Sequence, residues 1–137
     1  MEEISLKPGL TGQAIVNVTD ENTAIKFGSG SVTVFATPAM VGLMEKAAIN
    51  AVDALLPPGF ATVGAHLDIK HLAATPLKMI VMAKAELIEI NENKLQFKVE
   101  AFDEVEKIGE GLHTRYIIQL EKFLNRTNKK SEILKNK

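Results

Sequence analysis

Cysteine and tryptophan are absent from this chain of 137 residues, and tyrosine occurs once. Without cysteine, disulfides, CxxC redox chemistry and thiolate catalysis are excluded. Because the chain has only three histidines and no cysteine, we expect no metal site. The lack of tryptophan argues against an aromatic platform on which nucleic-acid bases stack.

The chain also has no excess of charge and no long apolar run. Lys and Arg total 16, Asp and Glu total 17, and the formal net charge is −1, which argues against a nucleic-acid partner. No run of 18 or more apolar residues occurs, so no membrane span is expected. The acidic start, Met1-Glu2-Glu3-Ile4, is unlike a signal peptide and favours a cytoplasmic location.

What is present is the composition of one folded domain, with 46% hydrophobic and 24% charged residues. The clearest element is a long apolar helix predicted over residues 37–56. Thr37 is a capping residue type and Pro38 suits the first helical position, while Pro57-Pro58-Gly59 ends the run. Because most faces of this helix are apolar, we expect other structure to surround it.

Alternation of apolar and polar residues predicts five strands, one before the helix and four after it. They are residues 10–19, 62–71, 77–90, 94–103 and 107–120. This pattern predicts an α+β fold in which a curved antiparallel sheet wraps around one central helix. Since such a sheet leaves an edge uncovered, we expect a dimer. The polar, basic residues 125–137 are predicted to be a flexible tail beyond a domain of residues 1–124.

Glu45 lies on an otherwise apolar stripe of the predicted helix. At about 100° per residue, its neighbours within about 40° are all apolar: Pro38, Val41, Ala48, Ile49, Val52 and Leu56. A buried carboxylate must be paired, protonated or functional, because burying it bare is costly. The alternative is a boundary glutamate that reaches solvent or pairs with a lysine.

Five further polar or small residues lie in the predicted strands. His71 continues an apolar phase, so it is either a satisfied core histidine or a catalytic one. Gly64 indicates a bulge, a close approach by a ligand, or simple packing. Arg115 can bind a phosphate or carboxylate, or form a surface ion pair. We expect His66 and His113 to be exposed and assign them no role.

Several segments, taken together, resemble the fluoroacetyl-CoA thioesterase family of hotdog-fold thioesterases. They are VFAT at 34–37 with MVGLME at 40–45, HLAATP at 71–76, IGEGLH at 108–113 and LEKF at 120–123. They occur in order and with the same separations, so the resemblance spans residues 10–124. It implies the hotdog fold in a dimer.

The resemblance implies a catalytic threonine, glutamate and histidine at Thr37, Glu45 and His71. It also implies substrate-binding roles for Gly64 and Arg115. The implied activity is hydrolysis of a short-chain acyl-CoA, in which CoA is part of the substrate and no cofactor or metal is needed. The alternatives are an acyl-CoA-binding hotdog protein without catalysis, acting as a sensor or sequestering module, and a hotdog dehydratase.

The sequence departs from the family just before the catalytic threonine, where fluoroacetyl-specific members carry aromatic residues. Here it reads Lys26-Phe27-Gly28-Ser29-Gly30-Ser31. A flexible Gly/Ser loop cannot form the same apolar gate. We therefore expect a general short-chain acyl group as substrate instead of selectivity for fluoroacetyl.

The spacing of two implied catalytic residues imposes a geometric constraint. Thr37 and Glu45 are eight residues apart, or about 12 Å along a helix. Either the helix starts after Thr37, or the two residues meet across a dimer interface. We expect the second arrangement.

Overall fold

The computed structural model describes residues 4–136. The acidic residues at the start of the chain and the last residue of the tail, Lys137, lie outside the described residues. Residues 4–136 contain five strands, three α-helices and two 3-10 turns. In chain order these are β1 (Thr11–Asn17), a 3-10 turn (Asp20–Asn22), α1 (Ala24–Phe27), α2 (Thr37–Val52), a 3-10 turn (Asp53–Leu55), β2 (Phe60–His71), β3 (Ile80–Asn91), β4 (Lys94–Phe102), β5 (Lys107–Gln119) and α3 (Leu120–Lys135).

The five strands form one sheet in the order β1-β3-β4-β5-β2, and every neighbouring pair is antiparallel. Helix α2 packs against this sheet, mainly on β1 and β3. Met40 and Met44 of α2 are fully buried, as are Phe97 of β4 and Ile108 of β5. The predicted α+β arrangement of an antiparallel sheet around a central helix is confirmed.

Gly12 in β1 is required for the close approach of this strand to α2. A Cβ atom at Gly12 would overlap the Ala47 carbonyl oxygen and the Ala51 nitrogen of the helix backbone. Because backbone cannot move aside as a flexible side chain can, a larger residue would separate β1 from α2.

The helix ends four residues earlier than the apolar run predicts, at Val52 instead of residue 56. Asp53 turns into a 3-10 segment, and its carboxylate accepts hydrogen bonds from the Thr62 backbone N–H at 3.2 Å and hydroxyl at 2.7 Å. A carboxylate held by the start of β2 draws the chain away from the helix axis, which sequence periodicity does not reveal.

The end of the chain also differs from the sequence prediction. Where a flexible tail is predicted from Asn125, the structure has the second half of α3, whose described side chains are exposed. Leu, Glu and Lys are good helix formers, so this segment is helical without packing on the sheet. Among residues 4–136, no helix combines the length and apolar character that crossing a membrane requires.

Candidate active site

Thr37 and His71 come together at the start of α2. Thr37 is the first helical residue, and His71 is the last residue of β2. The segments beside them are tied together, because the Phe35 N–H donates to the Thr75 carbonyl at 2.9 Å. A hydrogen bond of 2.7 Å then joins Thr37 Oγ1 and His71 Nδ1.

The predicted capping role of Thr37 is wrong. The N-cap residue is Ala36, and among residues 4–136 no side chain caps α2. The Thr37 hydroxyl lies one position too far along the helix to cap it and is engaged by His71 instead. The physical reason is that the tertiary contact with β2 competes with, and here replaces, the local cap.

His71 is held as a neutral imidazole. Burial lowers the pKa of His71, and the nearby backbone of Ala73 offsets this only in part. Its Nε2 atom is buried and has no hydrogen-bond partner within residues 4–136. A neutral imidazole beside a hydroxyl, with its second nitrogen uncommitted, can accept or deliver a proton near neutral pH.

A cavity of about 360 Å³ opens beside the Thr37–His71 pair. The loop before α2 forms one wall of it, with Ser29, Gly30 and Val32 among the lining residues. Leu72, Ala73 and Ala74, directly after His71, form another wall. Phe27 is 50% exposed and is not among the lining residues, whereas Phe35, just before α2, does line the cavity.

Glu45 lies two turns further along α2 and belongs to a second group of residues. Its Oε2 atom is 3.9 Å from Nη1 of Arg115, and the two side chains are 36% and 4% exposed. Glu45 is therefore half-buried and paired with an arginine. The predicted alternative of pairing with a lysine or reaching freely into solvent does not describe it.

Gly64 leaves the space that the Glu45 carboxylate occupies. A Cβ atom at this position would lie 2.9 Å from Glu45 Oε2 and 3.3 Å from Arg115 Nη1. The strand pairing also shifts register between Gly64 and His66. The predicted bulge occurs, and the groups that lie close to Gly64 are side chains of the protein itself.

Arg115 is buried, so the surface ion pair considered above is wrong. Its Nε donates to Thr62 Oγ1 at 2.8 Å, and its Nη2 donates to the Thr62 carbonyl at 2.9 Å. Burial lowers the pKa of Arg115, while the carboxylates of Asp53 and Glu45 raise it. Arginine remains charged under these conditions.

His113 is a member of this second group that the sequence prediction missed. It is fully buried, whereas we expected it to be exposed. Its side chain shares the inner face of β5 with Arg115 and Ile117. The alternation was hard to see because Gly109 and Gly111 carry no side chain on that face, while exposed Leu112 supplies an apolar residue on the other.

The two groups lie apart within one chain. Helix α2 begins at Thr37, so the possibility that it starts later is excluded. Thr37 and Glu45 are therefore separated by about 12 Å of helix. No cluster of three potential metal ligands occurs among residues 4–136.

Comparisons with known proteins find similarity to thioesterases. A family model described as fluoroacetyl-CoA-specific thioesterase matches residues 18–121. The curated fluoroacetyl-CoA thioesterase of Streptantibioticus cattleyicolor is 42% identical over 98 residues, which are 72% of this chain and 70% of that protein.

Solved structures extend the likeness to nearly the whole fold. The fluoroacetyl-CoA thioesterase FlK superimposes with a TM-score of 0.86 at 33% identity, covering 92% of this chain and 98% of that one. A thioesterase superfamily member from Thermus thermophilus superimposes with a TM-score of 0.89 at 25% identity, covering 100% of both chains. The sheet and central helix are thus those of the hotdog thioesterases.

Proposed function

The chain belongs to the fluoroacetyl-CoA-specific thioesterase family and is a thioester hydrolase, and on that premise we propose that Thr37, Glu45 and His71 hydrolyse a short-chain acyl-CoA at a dimer interface. The observation that carries the proposal is the 2.7 Å hydrogen bond between Thr37 Oγ1 and His71 Nδ1 beside a cavity. The family relationship favours this activity over the binding-only and dehydratase alternatives.

Thioester hydrolysis adds water to the acyl carbonyl and releases a carboxylic acid and a thiol. Glu45 acts either as the nucleophile that attacks the carbonyl or as the base that takes a proton from the attacking water. The neutral imidazole of His71 accepts a proton from the attacking water or from protonated Glu45, and then passes it to the departing thiolate. Thr37 holds the ring by its hydroxyl. The free N–H groups in the first turn of α2 suit the negative oxygen that develops in the transition state.

The separation of the two groups supports a shared site. The Thr37–His71 pair of one protomer would work with Glu45 of the other, because about 12 Å of helix separates Thr37 and Glu45 within one chain. The edge strand β2 supports this arrangement, since its residues 65–68 are exposed. An edge strand with free backbone groups is suited to pair with a second copy.

The loop before α2 bears on which acyl group is accepted. Relatives are named for fluoroacetyl-CoA, but in this chain Ser29 and Gly30 line the cavity. Phe35 also lines the cavity, but the small residues at positions 29 and 30 leave room for acetyl, propionyl or butyryl groups. The exposed side chains of Lys70, next to His71, and Lys78 are candidates to meet the CoA phosphates. We propose a cytoplasmic location, and no cofactor is needed.

Thiol release from acetyl-, propionyl-, butyryl- and fluoroacetyl-CoA tests this proposal. We expect release from the unfluorinated esters, and a loss of about 100-fold or more in kcat for Glu45→Gln and for His71→Ala. Binding of the esters without thiol release would contradict the proposal. So would full activity in either variant.

Mixing the two inactive variants tests the shared site. A mixed dimer of Glu45→Gln and His71→Ala chains holds one site with both native residues if the site is composed across the interface. Random association would then restore about a quarter of the wild-type activity. Homodimers of each variant, mixed without subunit exchange, are the control. No recovery in exchanged dimers would place the catalytic set within one chain.

A further inference from the structure

His113 is a buried histidine whose protonation state follows from its hydrogen bonds. Its Nδ1 atom is 2.8 Å from the His66 carbonyl oxygen. A carbonyl oxygen only accepts hydrogen bonds, so Nδ1 carries the proton. Burial lowers the pKa of His113, and the bond to His66 only partly offsets this. The ring is therefore neutral at pH 7, with a lone pair on Nε2.

The lone pair on Nε2 faces Arg115. Nη1 of Arg115 lies 3.1 Å away, and because a guanidinium has donors only, Nη1 donates to the ring. Thr62 binds the other two nitrogens of the guanidinium, and Asp53 in turn binds Thr62. All three nitrogens of the Arg115 side chain are thus held.

The same Nη1 atom is the one that faces Glu45. It lies 3.9 Å from Glu45 Oε2, so the acceptor on His113 holds the guanidinium nitrogen that is beside this carboxylate. The three side chains surround one small space next to Gly64. A Cβ there would lie 2.9 Å from Glu45 Oε2 and 3.2 Å from His113 Cε1.

We propose that His113 is a positioning residue of the thioesterase, whose Nε2 atom accepts a hydrogen bond from Arg115 and so holds the guanidinium where it orients Glu45. The inference rests on the proposed catalytic role of Glu45. His113 touches no reacting atom and acts through Arg115. Its effect is therefore expected in the chemical step more than in substrate binding.

Two amide substitutions separate the two hydrogen bonds of the ring. In His113→Asn the amide nitrogen replaces Nδ1 and can donate to the His66 carbonyl, but nothing replaces the Nε2 acceptor. In His113→Gln the longer side chain places its amide oxygen near the position of Nε2, where it can accept from Arg115. We expect kcat for acetyl-CoA to fall about tenfold or more in His113→Asn, with KM changed by less than about twofold.

The glutamine variant is the rescue control. His113→Gln should keep kcat within about threefold of wild type. Equal losses in both variants, or a loss confined to KM, would overturn the positioning role. Melting temperatures of the two variants show whether a loss of folding accounts for a loss of activity.

An Arg115→Met background tests whether His113 acts through Arg115. If it does, adding His113→Asn to Arg115→Met changes kcat by less than about twofold, because the guanidinium that the ring positions is already gone. If His113→Asn instead lowers kcat by the same factor in the Arg115→Met background as in wild type, the proposal is contradicted.

A spectroscopic measurement on the wild-type protein needs neither activity nor a variant. The ¹⁵N chemical shifts of His113 should report the Nδ1–H tautomer at pH 7, and the Nε2–H tautomer would overturn the inference. Glu45→Gln is assayed alongside the variants. Retained activity in Glu45→Gln defeats the proposed function and this inference with it. Lost activity there, with an unaffected His113→Asn variant, defeats only this inference.

Discussion

The Thr37–His71 pair and the Glu45–Arg115–His113 group lie at two points along helix α2 and are built in different ways. The first has one hydrogen bond, a buried nitrogen without a partner within residues 4–136, and a cavity beside it. The second is closely bonded, and its arginine is held at three nitrogens. The first group has a nitrogen that a substrate can bond, whereas the hydrogen bonds of the second group hold the arginine that lies 3.9 Å from the Glu45 carboxylate. The group around Glu45 is thus preorganised, whereas the Thr37–His71 pair keeps a hydrogen-bonding atom for a substrate.

Gly64→Ala should disturb only the Glu45–Arg115–His113 group. Compared with a change in the cavity wall or in pH, we expect it to have the largest effect. The new methyl would lie 2.9 Å from Glu45 Oε2, so the flexible carboxylate moves and the backbone stays. We expect kcat to fall by about 10- to 100-fold, with a change of less than about 1 kcal/mol in the free energy of unfolding.

Gly42→Ala is the matched control for Gly64→Ala. Gly42 is exposed on α2, and within residues 4–136 nothing lies near a Cβ placed there. Alanine at this position should stabilise the helix by about 0.5–1 kcal/mol. Chemical denaturation with a kinetic assay measures both variants. An unchanged kcat in Gly64→Ala would mean that the position of the Glu45 carboxylate does not matter.

Gly30→Phe should disturb the first group alone, by changing its cavity wall. A Cβ at Gly30 meets only Ala24 Cβ, at 3.4 Å within residues 4–136, so a side chain can be accommodated. The aromatic ring would reduce the cavity of about 360 Å³, and kcat/KM for butyryl-CoA should fall about tenfold relative to acetyl-CoA. Ser31→Ala in the same loop is the control. An unchanged ratio of kcat/KM for butyryl-CoA to that for acetyl-CoA would show that this wall does not limit the size of the acyl group.

Acidification should lower the free energy of unfolding through the histidine in each group. We expect this to be the smallest of the effects described here. Burial lowers the pKa of His71 and of His113 from the ordinary value of 6.5. Below pH 6.5 the unfolded chain therefore binds protons that the folded protein does not, and the free energy of unfolding falls as the pH falls. The slope is at most about 1.4 kcal/mol per pH unit for each histidine.

Melting temperatures at pH 7.5, 6.5 and 5.5 measure this effect. His71→Asn and His113→Asn should each show a weaker decrease than wild type, because each removes one of the two buried imidazoles. A melting temperature that rises toward pH 5.5 would contradict the predicted direction. If the melting temperature falls equally with pH in wild type and in both variants, other groups cause the decrease.

Much of the fold could be predicted because it depends on local patterns. Alternation in residues 94–103 predicts a strand, and the structure has β4 at Lys94–Phe102. The start of α2 is predicted within one residue, because Thr37-Pro38 indicates a first helical residue at Pro38 and the helix begins at Thr37. Its end was missed because the bond from Thr62 to Asp53 joins residues on different elements. The helical form of residues 125–135 was missed because a polar, basic composition is typical both of tails and of exposed helices.

The residues of the candidate site also divide into those that the sequence reveals and those that it does not. Glu45 and His71 could be singled out because a polar residue in an apolar phase is visible in the sequence. Residues Thr37, Gly64 and Arg115 were assigned roles through the family resemblance, and those roles remain predictions. His113 was missed because its burial depends on which face of β5 meets α2, and glycines hide that face in the alternation.

The sequence by itself determined the class of fold, the central helix and the family, since these follow from periodicity and from ordered motifs along the chain. Only the tertiary structure decided that Thr37 bonds His71, that Gly64 makes room for Glu45, and that Arg115 is held by His113 and Thr62. These contacts join residues from 2 to 53 positions apart. Their geometry depends on strand register and on the distance of α2 from the sheet, quantities that emerge only when the whole core packs.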